Sequence, residues 1–315
     1  MKLLTSLLFI TILCQGQNQI DQAKTLFEAK KYKEAKAILL KVDDDNKDFA
    51  AAQYYLGRIA FDEKELDDAE GYLEEAIEAN DKVADYHYWL GNVLGTIARD
   101  ANVVKQGMLA SKIKGEYEKT VALDPKNMDA HWGLITFYTE APGFMGGSFE
   151  KALVEAGAIQ KLNEADGHRA YGMIYTKQEK FNDAEKEYLL AYKANPAYTN
   201  PIVNFYVSRK QNDKAFALLE EAQKNQPENM LIQYQVGRTS AVTGEKLDRG
   251  EQCLIKYLSY QPKANEPSHA GAQMRLGQIF EKRGNTAEAK KRYEAAVKLD
   301  PAMKEAKDGL ARLSK

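Results

Sequence analysis

The chain has 315 residues, with 44 Lys and Arg against 46 Asp and Glu, and two cysteines. A formal net charge of -2 leaves no basic footprint for nucleic-acid phosphates, and no stretch is polybasic enough for anionic lipid. Two cysteines are too few for a disulfide scaffold or a Cys-based zinc site, and the composition is that of a folded chain long enough for two domains or one array of repeats.

The first predicted element is an export signal. Met1-Lys2 gives a short positive end, and Leu3 to Cys14 (LLTSLLFITILC) runs without charge. Cys14-Gln15-Gly16 then sets small residues at the two positions a signal peptidase inspects. The run is shorter than the ~20 apolar residues of a spanning helix. Residues 1–16 are therefore expected to be a cleaved signal peptide, and the protein to be periplasmic or secreted, with no membrane span in the mature chain. A lipid anchor on Cys14 fits less well, because Leu13 stands where lipoprotein signals place a small residue. Cys253, left alone beside Leu254 and Ile255, reads as a small core residue.

From residue 17 onward the sequence repeats. Gly57, Ala69, Leu73, Ala76 and Asp81 recur at identical spacing as Gly172, Ala184, Tyr188, Ala191 and Pro196, and again as Gly277, Ala289, Tyr293, Ala296 and Pro301. Looser copies run from Leu90-Gly91 to Asp124-Pro125, from Val236-Gly237 to Gln261-Pro262, and through Ala215, Leu219, Ala222 and Pro227. Ala69, Leu73 and Ala76 form one stripe of an α-helix. Gly57 belongs to an earlier helix, where the missing side chain lets the second helix approach. The closing Asp or Pro ends one unit and starts the next. Each unit is a helical hairpin of about 34 residues that cannot bury both its faces alone, so the units must stack.

The runs YYLGRIAFDEKELDDAEGYLEEAIEAND, AYGMIYTKQEKFNDAEKEYLLAYKANP and RLGQIFEKRGNTAEAKKRYEAAVKLDP resemble tetratricopeptide (TPR) repeats. The resemblance extends over nearly the whole chain after residue 16. It implies an all-α fold, a right-handed α-solenoid of about eight stacked hairpins forming a single array. The units lie near 17–49, 50–83, 84–127, 128–164, 165–198, 199–229, 230–269 and 270–303, with a capping helix over 302–315. The first unit is weak, with Tyr32, Ala35 and Leu39 as its main matches. TPR arrays are protein-binding scaffolds, which implies a protein or peptide partner, here in the cell envelope.

Departures from regularity mark the places to look for function. In the third unit about ten extra residues fall within Ile97 to Met108, so that one or both helices lengthen and project. The fourth carries Pro142-Gly143-Phe144-Met145-Gly146-Gly147-Ser148 between its helices. This PGFMGGS loop lacks the lysine of a phosphate-binding P-loop and no strand precedes it, so it reads as a turn with a left-handed glycine, capped by Ser148. Phe144 and Met145 are candidate contacts. A long third unit followed by this loop resembles a subset of exported bacterial TPR proteins.

His87, His131 and His168 share the fourth slot of successive units, too far apart to hold one metal, and read as packing residues. The run Asp43 to Asp48 fails the calcium-loop pattern, because Phe49 replaces the turn glycine and Tyr55 the bidentate glutamate. No catalytic constellation, metal site or cofactor is expected, and the chain is read as no enzyme.

In TPR arrays the first helix of each unit lines a concave groove. That resemblance places Tyr54, Tyr88, Trp132, Arg169 and Tyr234 in its fifth slot, and Arg58, Asn92, Thr136 and Arg238 in its ninth. Aromatic side chains and arginine dominate binding hot spots, so these residues are the predicted protein-binding groove. Relatives that clamp a C-terminal carboxylate use lysine and asparagine in these slots, and here only Asn92 fits. A rival reading has the third-unit insertion and the PGFMGGS loop closing a pocket for a small molecule or a reaction.

Overall fold

The computed structural model describes residues 19–314, so the signal-peptide expectation at residues 1–16, Cys14 included, lies outside the described residues. Two compact units meet in sequence between Asn163 and Glu164. In the first, α1 (Gln19–Glu28) pairs with α2 (Tyr32–Leu39), and α3 (Phe49–Glu63) with α4 (Leu66–Ala79). Next come α5 (Ala84–Asp100) with α6 (Val103–Leu123), and α7 (Met128–Glu140) with α8 (Phe149–Leu162). In the second unit α9 (Glu164–Lys177) pairs with α10 (Phe181–Ala194), and α11 (Thr199–Ser208) with α12 (Asn212–Asn225). There follow α13 (Met230–Thr243) with α14 (Leu247–Leu258), α15 (His269–Lys282) with α16 (Thr286–Leu299), and a last helix, α17 (Lys304–Leu313). No strand occurs among the described residues. The fold is all-α, built of helical hairpins. No helix among the described residues is long and apolar enough to cross a membrane.

The repeat signature has one packing cause. A Cβ on Gly57 would stand 2.7 Å from Leu73, one on Gly172 2.7 Å from Tyr188, and one on Gly277 2.6 Å from Tyr293. Real Cβ atoms do not come that close, so the glycine makes room for the bulky residue sixteen positions later. The flanking alanines, Ala69 and Ala76, Ala184 and Ala191, Ala289 and Ala296, are fully buried. They let the second helix lie flat while the large side chain fills the gap. In the third repeat the residue over Gly91 is Tyr117, twenty-six positions on, and a Cβ on Gly91 would lie 2.9 Å from it. The ten additional residues are thus inserted between glycine and wedge. They lengthen α5 to 17 residues and α6 to 21, against 15 and 14 in α3 and α4.

Tyr117 and Tyr293 each fill a second glycine as well. A Cβ on Gly133 in α7 would lie 2.8 Å from Tyr117, and one on Gly309 in α17 2.6 Å from Tyr293. In this way α17 does the work of a next repeat, burying Ala306 and Gly309 while its outer face stays polar. Arg312 fastens it by two 3.0 Å hydrogen bonds to Glu281.

The turns of the three regular hairpins share a left-handed residue seven positions after the repeat glycine. It is Lys64 (φ 67°), Glu179 (φ 58°) and Gly284 (φ 75°). The histidines of the fourth slot pack as expected, in a repeated tie. His87 Nδ1 lies 2.7 Å from Glu116 on its own second helix, and Nε2 lies 3.0 Å from the carbonyl of Asp81 in the preceding turn. His131 does the same with Glu155 (2.6 Å) and the carbonyl of Pro125 (3.1 Å). His168 pairs with Glu187 at 2.7 Å. In the last repeat the corresponding pair is Gln273 and Arg292. The Asp43–Asp48 run forms a turn in which Asn46 Oδ1 accepts the amide of Asp48. Cys253 is buried, and burial pushes its thiol pKa up.

Candidate functional site

The long third hairpin, α7 and the PGFMGGS loop enclose a cavity of about 820 Å³ in the first unit. Helical spacing explains its walls. Tyr88, Asn92 and Thr96 rise along one side of α5 at intervals of four, and Trp132, Thr136 and Glu140 do so along α7. Ala110, Ile113 and Tyr117 of α6 close the bottom, all buried. Phe61 and Trp89 add further aromatic surface, and Asp129, Arg99 and Glu140 bring charge.

Hydrogen bonds fix the polar part of this lining. Tyr117 donates its hydroxyl to Asn92 Oδ1 at 2.8 Å, which holds the amide against the cavity wall. Burial keeps the Tyr117 phenol well above its usual pKa, so it acts as a donor throughout the neutral range. Burial likewise raises the Tyr88 phenol, and the Asn92 side chain opposes that shift. Gln106 Nε2 donates to the carbonyls of Ala98 and Ala101, each at 3.1 Å, and so closes the extended α5–α6 turn.

The aromatic wall is braced from behind. Tyr88 and Phe61 meet Trp89 edge-on, with ring centroids 5.6 and 5.5 Å away. The Arg58 guanidinium lies 3.5 Å over the Trp89 ring and within 5.1 Å of Phe27. Its Nη1 donates to Tyr54 (2.8 Å). Arg58, predicted as a groove donor, stands instead among aromatic rings as a cation–π support.

The loop divides its two apolar residues. Met145 lines the cavity, and its Cε would lie 3.4 Å from a Cβ on Gly107. Phe144 points outward, 86% exposed. Gly146 adopts the left-handed conformation (φ 101°). Gly147 admits no side chain, because a Cβ there would fall 1.8 Å from the carbonyl oxygen of Ala141. The amides of Met145, Gly146, Gly147 and Ser148 all donate to backbone carbonyls, which leaves none aimed at an anion. Ser148 caps α8 through the amide of Lys151. The loop is the capped turn its sequence indicated, and Pro142 and Met145 also line the cavity, a placement that only the rival sequence reading supposed.

The predicted groove column separates into two groups. Tyr88, Asn92, Trp132 and Thr136 come together in this cavity. Tyr54 does not line it: the ring is buried against Tyr55 and Tyr86, at 5.1 and 5.0 Å. Three predicted residues lie in the second unit. Arg169 pairs with Asp166 at 3.0 Å, Tyr234 is buried against Tyr257, and Arg238 donates to Asn204. Phe61, Trp89, Phe137 and Asp129 were not singled out from sequence. Phe137 and Asp129 carried a usable signal, since they lie one residue from Thr136 and three from Trp132 on α7.

Family models described as tetratricopeptide repeat match residues 26–92 and 270–303. Among solved structures, a tetratricopeptide repeat protein from Parabacteroides merdae is similar over 94% of this chain and 98% of its own, at 12% identity and a TM-score of 0.57. The C-terminal part of a TPR repeat-containing protein from Cytophaga hutchinsonii matches 92% of this chain and 99% of its own, at 14% identity and a TM-score of 0.46. A thermophilic TPR protein of Thermus thermophilus matches 61% of this chain and 98% of its own, at 19% identity and a TM-score of 0.42. No curated protein matches in sequence.

Proposed function

We infer that this tetratricopeptide repeat protein is an exported, non-enzymatic scaffold that holds a peptide or helix of a cell-envelope partner in the aromatic cavity of its first unit. The observation that carries the reading is the convergence of Tyr88, Asn92, Trp132 and Thr136 on one cavity. At about 820 Å³ the space suits a few side chains of a bound segment. Tyr and Trp offer wide contact area at low entropy cost, and the Asn92 amide, fixed by Tyr117, is ready to meet a partner's backbone. The charge pattern and short apolar run of residues 1–16 support export.

The test is capture. The full chain is expected to retain a partner from cell-envelope extract and not from cytosolic extract. Tyr88→Ala combined with Trp132→Ala should abolish capture while leaving the helical circular-dichroism spectrum unchanged. Undiminished capture by that variant would sink the cavity assignment.

A further inference from the structure

The tip of the third hairpin and the PGFMGGS loop expose apolar side chains that nothing in the fold covers. Phe144 is 86% exposed, Met108 75%, Val104 74% and Val103 69%, four of the five most exposed large apolar side chains among the described residues. Helix geometry and the loop bring them to one place. Val104 and Met108 stand one turn apart on one face of α6, and Val103 stands one turn before Gly107. Met145 covers Gly107, its Cε 3.4 Å from where a Cβ would be, and so seats the neighbouring Phe144 beside that face. The tip is held firmly. Asn102 caps α6 through the amide of Lys105 (3.0 Å), Gln106 ties the α5–α6 turn, and Gly147 is locked against the Ala141 carbonyl. A fixed apolar patch of this kind marks a contact with a partner or a membrane.

The charges around the patch favour a membrane. Arg99 ends α5, Lys105 follows Val104, and the Cδ of Lys114 lies 4.0 Å from a Cβ position on Gly146. Among the described residues none of the three has a carboxylate within ion-pair distance, whereas Lys112 is held by Glu70 and Glu74. Asp100 and Glu140 bring two acids to the same rim, so cations are in excess. No stretch of sequence is polybasic; the turn and the loop gather these three. Four side chains, two of them valine, expose by themselves less than the ~800 Å² that each partner buries in a standard protein interface. They also stand on a projecting tip and not in a groove. The boundary layer of a bilayer accepts separate apolar side chains without shape complementarity, and its anionic headgroups lie at the depth that long basic side chains reach.

We propose that this tip docks the protein on an anionic lipid surface: Val103, Val104, Met108 and Phe144 enter the apolar boundary of the bilayer, and Arg99, Lys105 and Lys114 meet its headgroups. The contact is peripheral and requires no spanning helix. It goes beyond the scaffold reading and does not rest on it, since none of the four apolar residues lines the cavity.

Tryptophan quenching and vesicle sedimentation on the full chain test it. The vesicles are phosphatidylcholine with phosphatidylglycerol, and phosphatidylcholine alone. With brominated acyl chains in the mixed vesicles, Phe144→Trp should be quenched beyond the background that Trp89 and Trp132 give in the unaltered chain. That readout is specific to the tip, so the apolar run of residues 1–16 cannot imitate it. Val103→Ser, Val104→Ser and Met108→Ser combined with Phe144→Ser should weaken sedimentation with mixed vesicles at least about tenfold, with an unchanged circular-dichroism spectrum. Lys105→Gln and Lys114→Gln should each weaken it about fivefold, and leave sedimentation with phosphatidylcholine alone unchanged. Val154→Ser, on a side chain 70% exposed in α8, should have no effect. No added quenching at residue 144, or undiminished sedimentation of the four-site variant, overturns the docking tip. Equal binding to the two lipid compositions overturns the headgroup assignment. If the unaltered chain ignores both vesicles while the four-site variant loses an envelope protein, the tip is a protein contact and the lipid assignment falls. Tyr88→Ala with Trp132→Ala should sediment as the unaltered chain does, so this reading and the cavity reading fail separately.

Discussion

The third hairpin in the first unit and the last hairpin in the second solve the same packing problem with different surroundings. Tyr117 fills Gly91 and Gly133, and Tyr293 fills Gly277 and Gly309. Tyr293 turns its hydroxyl to Glu281, which Arg312 of the cap already holds. Tyr117 turns its hydroxyl to Asn92, on the wall of a cavity. The ten added residues of the third hairpin lie at the far tip, beyond the tyrosine, where the glycine–wedge rule does not reach. Repeat packing tolerates growth at the tip of a hairpin, and the tip is where this chain has room for a site.

The strongest way to break the comparison is to remove the wedges. Tyr117→Ala and Tyr293→Ala should each destabilise their unit by about 3–5 kcal/mol, the range for truncating a buried aromatic side chain. Urea unfolding followed by circular dichroism measures both. The Phe variants sharpen it. Tyr293→Phe leaves Glu281 with Arg312, whereas Tyr117→Phe frees Asn92, so only the latter should alter binding in the cavity. A loss below about 1 kcal/mol on Tyr117→Ala would show that α6 is held by other contacts.

Most of this fold could be read from spacing, because glycine, alanine and the bulky residue sixteen positions on are a direct imprint of helix contact. The cavity was legible in part. Tyr88, Asn92, Trp132 and Thr136 follow from the groove slots that the TPR resemblance implies. The same slots gave Tyr54 and Tyr234, and there the neighbouring rings of Tyr86 and Tyr257 close over them. A slot fixes which way a side chain leaves its helix, not what the next helix sets against it. Trp89 enters the wall because Arg58, one repeat away, stacks on its ring. Phe144 and Met145 are adjacent and similarly apolar, yet they part, because the backbone turn at Gly146 and the close contact at Gly147 decide their directions. Hydrophobicity alone does not carry that information.

A second test uses the histidine ties, which the last hairpin replaces with Gln273 and Arg292. In His87 and His131 both ring nitrogens face acceptors, a carboxylate and a carbonyl, and only the doubly protonated ring can donate to both. The hydrogen bond to Glu155 raises the His131 pKa against the opposing effect of burial. At His87 burial lowers the pKa, and the bonds to Glu116 and the Asp81 carbonyl more than reverse it. A raised folded-state pKa stabilises the fold fully below the unfolded value of about 6.5, and this contribution fades as pH rises through the folded value. The unfolding free energy of the first unit in urea should therefore fall between pH 6 and pH 8, by on the order of 1 kcal/mol per histidine. His87→Gln with His131→Gln should flatten that part of the profile. An unchanged slope in the double variant would remove these histidines as its cause.

The smallest effect tests the backbone alone. Lys64 in the first unit and Gly284 in the second occupy the same turn position with nearly the same left-handed φ, 67° and 75°. A side chain at positive φ crowds its own carbonyl, whereas glycine does not. Nothing lies within 4 Å of where a Cβ on Gly284 would be, so no packing contact confuses the exchange. The backbone bonds of the first turn, from Lys64 N to the Phe61 carbonyl and from Glu65 N to that of Ala60, require no side chain. Lys64→Gly should thus stabilise the first unit, and Gly284→Lys destabilise the second, each by about 0.5–1 kcal/mol in urea unfolding. The two shifts should be equal and opposite. If Lys64→Gly is neutral, the conformational entropy that glycine adds to the unfolded chain offsets the relief of crowding. The left-handed position is then set by the geometry of the hairpin, and the residue chosen for it is immaterial to stability.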